Sequence, residues 1–266
     1  MKLTMLGTGG ALVTKYYNTC FVVENEGKYF LVDGGGGNQL LQQIENAGIN
    51  WKDIKNIFIT HKHIDHILGL VWLCRYIMNT MNKGKYPGVV QLYGHTEVLG
   101  RLERILKETL EPKELRFLNK GLYLITVENG EVIDILGKKV TFFDINSSKT
   151  KQFGFSMEYG EGKKLVCLGD EPYNETSHQY LVGCQWLLHE AYCLFSEAEI
   201  YEPYEKHHST VKEACQVAES FKIPNLLLYH TEDGSFPKRQ ELYLAEGEKY
   251  YSGKLLVPND LDVIDL

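Results

Sequence analysis

The sequence predicts a layered α/β sandwich. Three observations carry that prediction. Short apolar strand patterns open the chain, four strands with few helices between them fill its middle, and helix patterns alternate with strands on both sides. The 266 residues are 44% hydrophobic and 24% charged, which excludes disorder, collagen and coiled coil as descriptions of the whole chain. No repeat, low-complexity stretch or Pro/Ser-rich linker divides the sequence. One domain over residues 1–266 is the expected organisation.

The elements follow in order. Residues 2–6 read as a strand broken by Gly7, Gly9 and Gly10. Residues 20–24 and 28–33 are two more strands, and Asn25-Glu26-Gly27 between them predicts a hairpin. The run Gly34 to Gly37 ends the second strand. Leu40, Leu41, Ile44 and Ala47 then share a helical face, with Gly48 as the stop. A buried-type strand is expected at 56–60, a helix at 67–81, a strand at 89–93 and a helix at 97–110. The strand-rich middle comprises 123–127, 140–145, 153–159 and 164–168. Beyond Asp170 the alternation returns, with helices at 176–183, 210–221 and 238–250 and strands at 186–190 and 225–230.

Charge and cysteine content narrow the function. The net charge is -7, so no general electrostatic footprint for nucleic acid is visible. An enzyme whose metal ions hold a phosphate locally stays open. No run reaches the roughly 20 apolar residues of a membrane span, and the opening residues lack a signal-peptide core, so a cytoplasmic location is expected. The six cysteines form no C-x-x-C pair, and most sit in apolar surroundings. Small buried hydrophobes in a reducing compartment are expected.

Six residues at the end of one strand carry the chemistry: His61-Lys62-His63-Ile64-Asp65-His66. Three imidazoles and a carboxylate share one strand-to-helix turn. Alternation puts His61 and His63 on one side, where both can grip one ion, while Asp65 and His66 lie further round and can face a second. Neutral imidazole and carboxylate suit zinc or a similar divalent metal. Asp170 and His230 each follow an apolar strand and become candidates through this cluster. Other motifs fall away. Gly7, Gly9 and Gly10 make an incomplete dinucleotide fingerprint, Gly34 to Gly37 lacks the P-loop lysine, and no G-x-S-x-G occurs. Both glycine runs read as tight turns that let backbone pass close to the metal edge. Tyr201, Tyr204, Tyr250 and Tyr251 line a pocket or, as the stronger reading, pack a core or interface.

The ordered set Leu6-Gly7-Thr8-Gly9-Gly10, Asp33-Gly34-Gly35-Gly36, Thr60 through His66, Gly169-Asp170 and His230 resembles the metallo-β-lactamase superfamily across nearly the whole chain. Phe153-Gly154-Phe155, Leu188-His189-Glu190-Ala191 and His208-Ser209-Thr210 with Glu213-Ala214 resemble its ribonuclease Z-like branch. The resemblance implies a four-layer αββα sandwich with two mixed sheets and two divalent metal ions, zinc or manganese. It implies a first site of His61, His63 and Asp170, and a second of Asp65, His66, Asp170 and His230. Asp170 would bridge, and Asp65 would also accept a proton from the attacking water. His208, oriented by Glu190, would protonate the leaving oxygen. A homodimer is implied as the assembly.

Two departures from the pattern shape the expectation. The family's third imidazole on the first metal has no counterpart, since no histidine lies between His95 and His178. Asn146 or Ser148 stands at its place, and Asp144 is near. This weakens the first site or suits it to a harder metal such as manganese. The connection from Glu158 to Lys164 is too short for the arm with which tRNA-processing members grip their substrate. Lys149, Lys151, Lys163 and Lys164 form a phosphate-attracting rim or a solvated strand edge. The expected activity is therefore hydrolysis of a small phosphodiester by a metal-activated water. The alternatives are RNA 3′-end cleavage, hydrolysis of a lactone, thioester or sulfate ester, and a non-catalytic binding or sensing role.

Overall fold

A computed structural model describes residues 1–266. The chain forms two compact units, and each is built on one seven-stranded mixed sheet.

The first unit comprises Met1–Gly7, Tyr17–Glu128 and Leu261–Leu266. Its strands are β1 (Lys2–Gly7), β2 (Cys20–Asn25), β3 (Lys28–Val32), β4 (Ile54–Phe58), β5 (Val90–Gly94) and β6 (Leu122–Thr126), and the C-terminal strand Val263–Asp265 pairs with the outer edge of β1. Pairing is antiparallel from that strand to β3 and parallel from β3 to β6. The β2–β3 hairpin turns through Glu26 and Gly27, both at positive φ, as a two-residue turn matched to strand twist requires. The helices are α1 (Gln39–Asn46), α2 (Ile64–Asn82), α3 (Thr96–Thr109) and the short α4 (Pro112–Leu115). Leu40 and Ile44 of α1, Leu70, Leu73 and Ile77 of α2, and Leu102 and Leu106 of α3 share one buried cluster with Leu31, Ile57 and Leu92 of the sheet.

The second unit comprises Thr8–Tyr16 and Asn129–Asp260. It holds β7 (Val132–Ile135), β8 (Lys138–Asp144), β9 (Phe153–Gly160), β10 (Lys163–Cys167), β11 (Trp186–Glu190), β12 (Asn225–Tyr229) and β13 (Lys254–Leu256), in spatial order β13-β12-β11-β10-β9-β8-β7. Strands β10 to β13 are parallel and β7 to β10 antiparallel. Helices α5 (His178–Leu181), α6 (Ala198–Tyr201), α7 (Val211–Ser220) and α8 (Arg239–Gly247) complete it. Val211, Ala214 and Ala218 of α7 and Tyr243 of α8 share a cluster with Val166, Leu187, Leu226 and Leu228. Strand β11 is buried along its whole length, its apolar Trp186-Leu187-Leu188 followed by the buried polar pair His189 and Glu190.

Two mixed sheets with helices agree with the predicted fold. Three strands went unpredicted: β7, β13 and the C-terminal strand have four, three and three residues and lie at sheet edges. Helix α2 starts at Ile64 rather than at residue 67, because His63 adopts an extended N-cap conformation. Asp65 therefore sits in the first helical turn, where the helix dipole favours a carboxylate. Helix α8 ends at Gly247 rather than at residue 250. His61, Asp170, Glu190 and His230 lie at or just beyond the carboxyl ends of parallel strands, the usual place for a ligand site in such sheets, while Asp65 and His66 open α2 and His208 lies shortly before α7.

Candidate metal centre

In the first unit, β4 delivers His61 and His63 and the start of α2 delivers Asp65 and His66. His61 Nε2 and His63 Nδ1 lie 2.8 Å apart, and the His61 and His66 rings are 4.1 Å apart between centroids. His66 Nε2 lies 3.3 Å from Asp65 Oδ2. His61, Asp65 and His66 are buried and His63 is half-buried. The other edge of the cluster is tied to the fold. Asp33 Oδ2 lies 2.8 Å from His66 Nδ1, and Thr60 donates to Asp33 from its amide at 2.9 Å and its hydroxyl at 2.8 Å. A carboxylate on one imidazole nitrogen fixes the tautomer and turns the other nitrogen outward as a metal ligand. Asp33 holds this post at φ 58, a strained conformation of the kind that persists where surrounding contacts enforce it. The sequence singled out Asp33 as part of a motif but gave it no task.

The second unit supplies Asp170, Glu190, His208 and His230. Asp170 follows β10 after Gly169, whose φ is 69. His230 follows β12 at φ 56, with Nε2 3.6 Å from Asp170 Oδ2. The Gly9–Gly10 loop runs beside it. Gly9 bridges Thr231, Gly10 N donates to Thr231 O at 2.8 Å, and a Cβ on Gly10 would come within 3.6 Å of the His230 ring. Arg239, fully buried, donates to the Thr8 hydroxyl at 3.0 Å and the Thr231 hydroxyl at 2.9 Å, so the loop and the residue after His230 share one clamp. Sequence reasoning missed Arg239 because its Thr8 partner is 231 positions away.

The third-imidazole segment has a different solution from the one the sequence suggested. Asn146 and Ser148 are exposed. Asn146 sits at φ 53 with its amide bonded to Asp144, and Ser148 Oγ lies 2.9 Å from His207 Nδ1. The side chain from this segment that meets Asp170 is Gln152. It is fully buried, donates from Nε2 to Asp170 Oδ1 at 2.5 Å and accepts from the Asp170 amide at 2.8 Å. A Cβ on Gly169 would run into that amide, which explains the glycine.

His208 Nδ1 lies 3.4 Å from Glu190 Oε2, and the Ser209 amide donates to the other carboxylate oxygen. Burial alone would raise the Glu190 pKa, but His208 and the Ser209 amide outweigh it and hold the carboxyl below its ordinary range. Burial would likewise lower His208, and the Glu190 carboxylate outweighs it and favours the imidazolium. The Tyr192 ring stacks on His208 at 4.9 Å, and His230 lies 5.2 Å away on the ring-centroid measure. Glu190, His208 and His230 bring one ligand-type atom each within 4.8 Å of one another. All six cysteines are buried, and none belongs to these clusters. No helix is long and apolar enough to cross a membrane.

Each unit thus presents imidazole and carboxylate groups that suit a divalent cation. This is seen most directly at His66, where Asp33 holds Nδ1 and Nε2 lies beside the Asp65 carboxylate, a donor pair that suits such an ion. Solved structures share the fold. The metallo-β-lactamase fold protein YhfI from Bacillus subtilis matches with a TM-score of 0.80 at 16% identity, covering 99% of this chain and 98% of its own. The short form of human tRNase Z matches with a TM-score of 0.75 at 21% identity, covering 100% and 99%. Ribonuclease Z of Thermococcus sibiricus is 27% identical over 309 aligned positions, spanning 100% of this chain and 96% of that protein. Fold, relatives and donor set define a metal-dependent hydrolase of the metallo-β-lactamase superfamily, ribonuclease Z-like. Within that superfamily, the family model of the anti-Pycsar protein Apyc1 matches residues 1–248, and the chain belongs to that family.

Proposed function

We propose that the protein is a phosphodiesterase acting on a small phosphodiester, with residues 1–266 forming one catalytic domain. The observation that carries the reading is the His208–Glu190 pair. A buried carboxylate behind an imidazole makes a proton donor suited to an alkoxide leaving group, which a phosphodiester generates. His61, His63 and Asp170 are the proposed ligands of one ion, and Asp65, His66, Asp170 and His230 of another. Zinc fits this donor set, with manganese as the harder alternative. Two such ions would make bound water acidic enough to attack near neutral pH and would polarise the phosphoryl oxygens. With the ions bound, Asp65 would take the proton of the attacking water, while Asp33 aligns His66 and Gln152 aligns Asp170. The six buried thiols support a cytoplasmic setting, and a homodimer is the proposed assembly.

The test is metal content and bis-p-nitrophenyl phosphate hydrolysis on one preparation, with Asp170→Ala as control. About two ions per chain and turnover lost in the variant are expected. One ion and no turnover, with zinc or manganese added, would overturn the reading.

RNA cleavage is the second reading, favoured by the ribonuclease Z relatives that align along the whole chain. Against it stand the net charge of -7 and the β9–β10 connection, which turns through Glu161 and Gly162 alone. Cleavage of a precursor tRNA at a rate matching the small diester would move the assignment to RNA.

A further inference from the structure

Of the four lysines around the strand-rich middle, three are accounted for locally. Lys151 lies over the Phe153 ring at 5.5 Å, Lys164 donates to Val182 O at 2.7 Å, and Lys163 is exposed. Lys149 is different. Its side chain is only 18% exposed, and its ammonium lies 3.6 Å from Glu171 Oε1 and 3.4 Å from His208 Nε2. The turn that presents it is built around Ser147. That hydroxyl accepts from the Lys149 amide at 3.2 Å and the Thr150 amide at 3.3 Å while donating to Glu171 at 2.6 Å. Glu171 is buried, so a carboxylate held from behind places this cation.

The placement matters because of which edge of His208 it meets. Nδ1 faces Glu190, so Nε2 is the edge through which a proton would reach a substrate. His208 also lines a groove of about 330 Å³ with Glu171, Tyr173 and Tyr204. An ammonium has three donors. Glu171 faces one of them, and the protonated Nε2–H of His208 can accept none, so the ammonium has donors to turn toward an anion placed between it and His208. A mostly buried cation beside a proton-donating imidazole is the arrangement by which enzymes clamp a phosphoryl group, since positive charge is worth more there than in water.

Resting on the phosphodiesterase reading, we propose that Lys149 binds a non-bridging oxygen of the substrate phosphoryl group beside His208, making this segment an anion-binding subsite. The turn that lacks the expected imidazole thus supplies the substrate with a charge instead of supplying the metal with a ligand.

The test compares Lys149→Met, Lys149→Gln and Lys149→Arg with the parent, all zinc-loaded and checked for folding by circular dichroism. The readouts are kcat and KM for bis-p-nitrophenyl phosphate and the inhibition constant of inorganic phosphate. The two neutral variants should lose about tenfold to a hundredfold in kcat/KM, the range expected for one charged hydrogen bond. Phosphate inhibition should weaken in the same order, and Lys149→Arg should recover most of both. Parent turnover with both neutral variants within twofold of it overturns the role of Lys149 and leaves the phosphodiesterase reading standing. If the parent shows no turnover, phosphate titration by calorimetry decides. Weaker binding in both neutral variants supports the anion subsite, and unchanged binding overturns it.

Discussion

Gly69→Ala is the sharpest test of how α2 is seated. In an ordinary exposed helix this change stabilises by about 1 kcal/mol. Here the opposite is expected. A Cβ on Gly69 would run into the Gly34 carbonyl oxygen and stand 2.6 Å from the Gly34 carbonyl carbon. A Cβ on Gly34 would in turn come within 2.7 Å of Leu70 Cγ. Carbon pairs rest at about 3.5–4.0 Å, so the helix must withdraw by about 1 Å or more. That withdrawal strains two backbone hydrogen bonds, Gly34 N to His66 O and Gly69 N to Gly35 O, both 2.9 Å. Overpacking costs about 1–3 kcal/mol and each bond about 1, so a net loss of about 2–4 kcal/mol remains after the propensity gain. Urea unfolding of the metal-free protein reads it as a lower midpoint at unchanged slope. Zinc affinity should fall as well, because the same contact carries His66. Gly100→Ala is the matched control: Gly100 lies inside α3 with nothing within 4 Å of its added Cβ, and should stabilise by about 0.5–1 kcal/mol. A Gly69→Ala protein as stable as the parent would refute the close approach.

Three further outcomes are expected. Asp33→Asn should weaken zinc binding about tenfold to a hundredfold by calorimetry, because the amide cannot serve the Thr60 donors and His66 Nδ1 as the carboxylate does. Arg239→Met should cost about 1–3 kcal/mol in urea unfolding by leaving the Thr8 and Thr231 hydroxyls without their donor; Arg239→Lys should not rescue it, since one ammonium cannot also span Pro258 O and Asn259. His189 is fully buried, and that burial holds its pKa below the ordinary 6.5. The unfolded chain therefore binds the extra proton first, and stability should fall as pH drops below 6.5, with His189→Asn showing a shallower fall in melting temperature over that range.

How much could be read in advance depended on how far apart the partners lie. His61, His63, Asp65 and His66 are contiguous, so composition alone exposed them. The central parallel strands were equally plain, since burial on both faces favours apolar runs such as Trp186-Leu187-Leu188 and Leu226-Leu227-Leu228. Short edge strands such as β7 and β13 gave too few residues to establish a period. The supporting residues were hidden by separation: Asp33 meets His66 at 33 positions, Gln152 meets Asp170 at 18, and Lys149 meets His208 at 59. Asp33 stood in a recognised motif and Lys149 among the candidate rim lysines, but only the fold gives each its partner, and Gln152 carried no local signal at all. The glycines fell between these cases. Their motif was visible, but the reason for Gly34 is a helix that begins 30 residues later.

The segment from Asn146 to Gln152 shows why losing one ligand need not mean losing a site. An imidazole would offer one neutral donor to a metal. In its stead the chain places an amide on Asp170 and an ammonium beside His208. The amide occupies one lone-pair direction of Asp170 Oδ1, and a carboxylate oxygen has another to offer, so the bond orients Asp170 and leaves it able to serve as the proposed ligand. The ammonium adds a full positive charge that a neutral imidazole lacks, at a place where phosphoryl charge would gather. Decay would leave this stretch loose and polar. Instead Gln152 is fully buried, Ser147 is bonded at both ends, and Glu171 is spent on holding a lysine. Such order is what the proposed phosphoryl subsite requires of this segment.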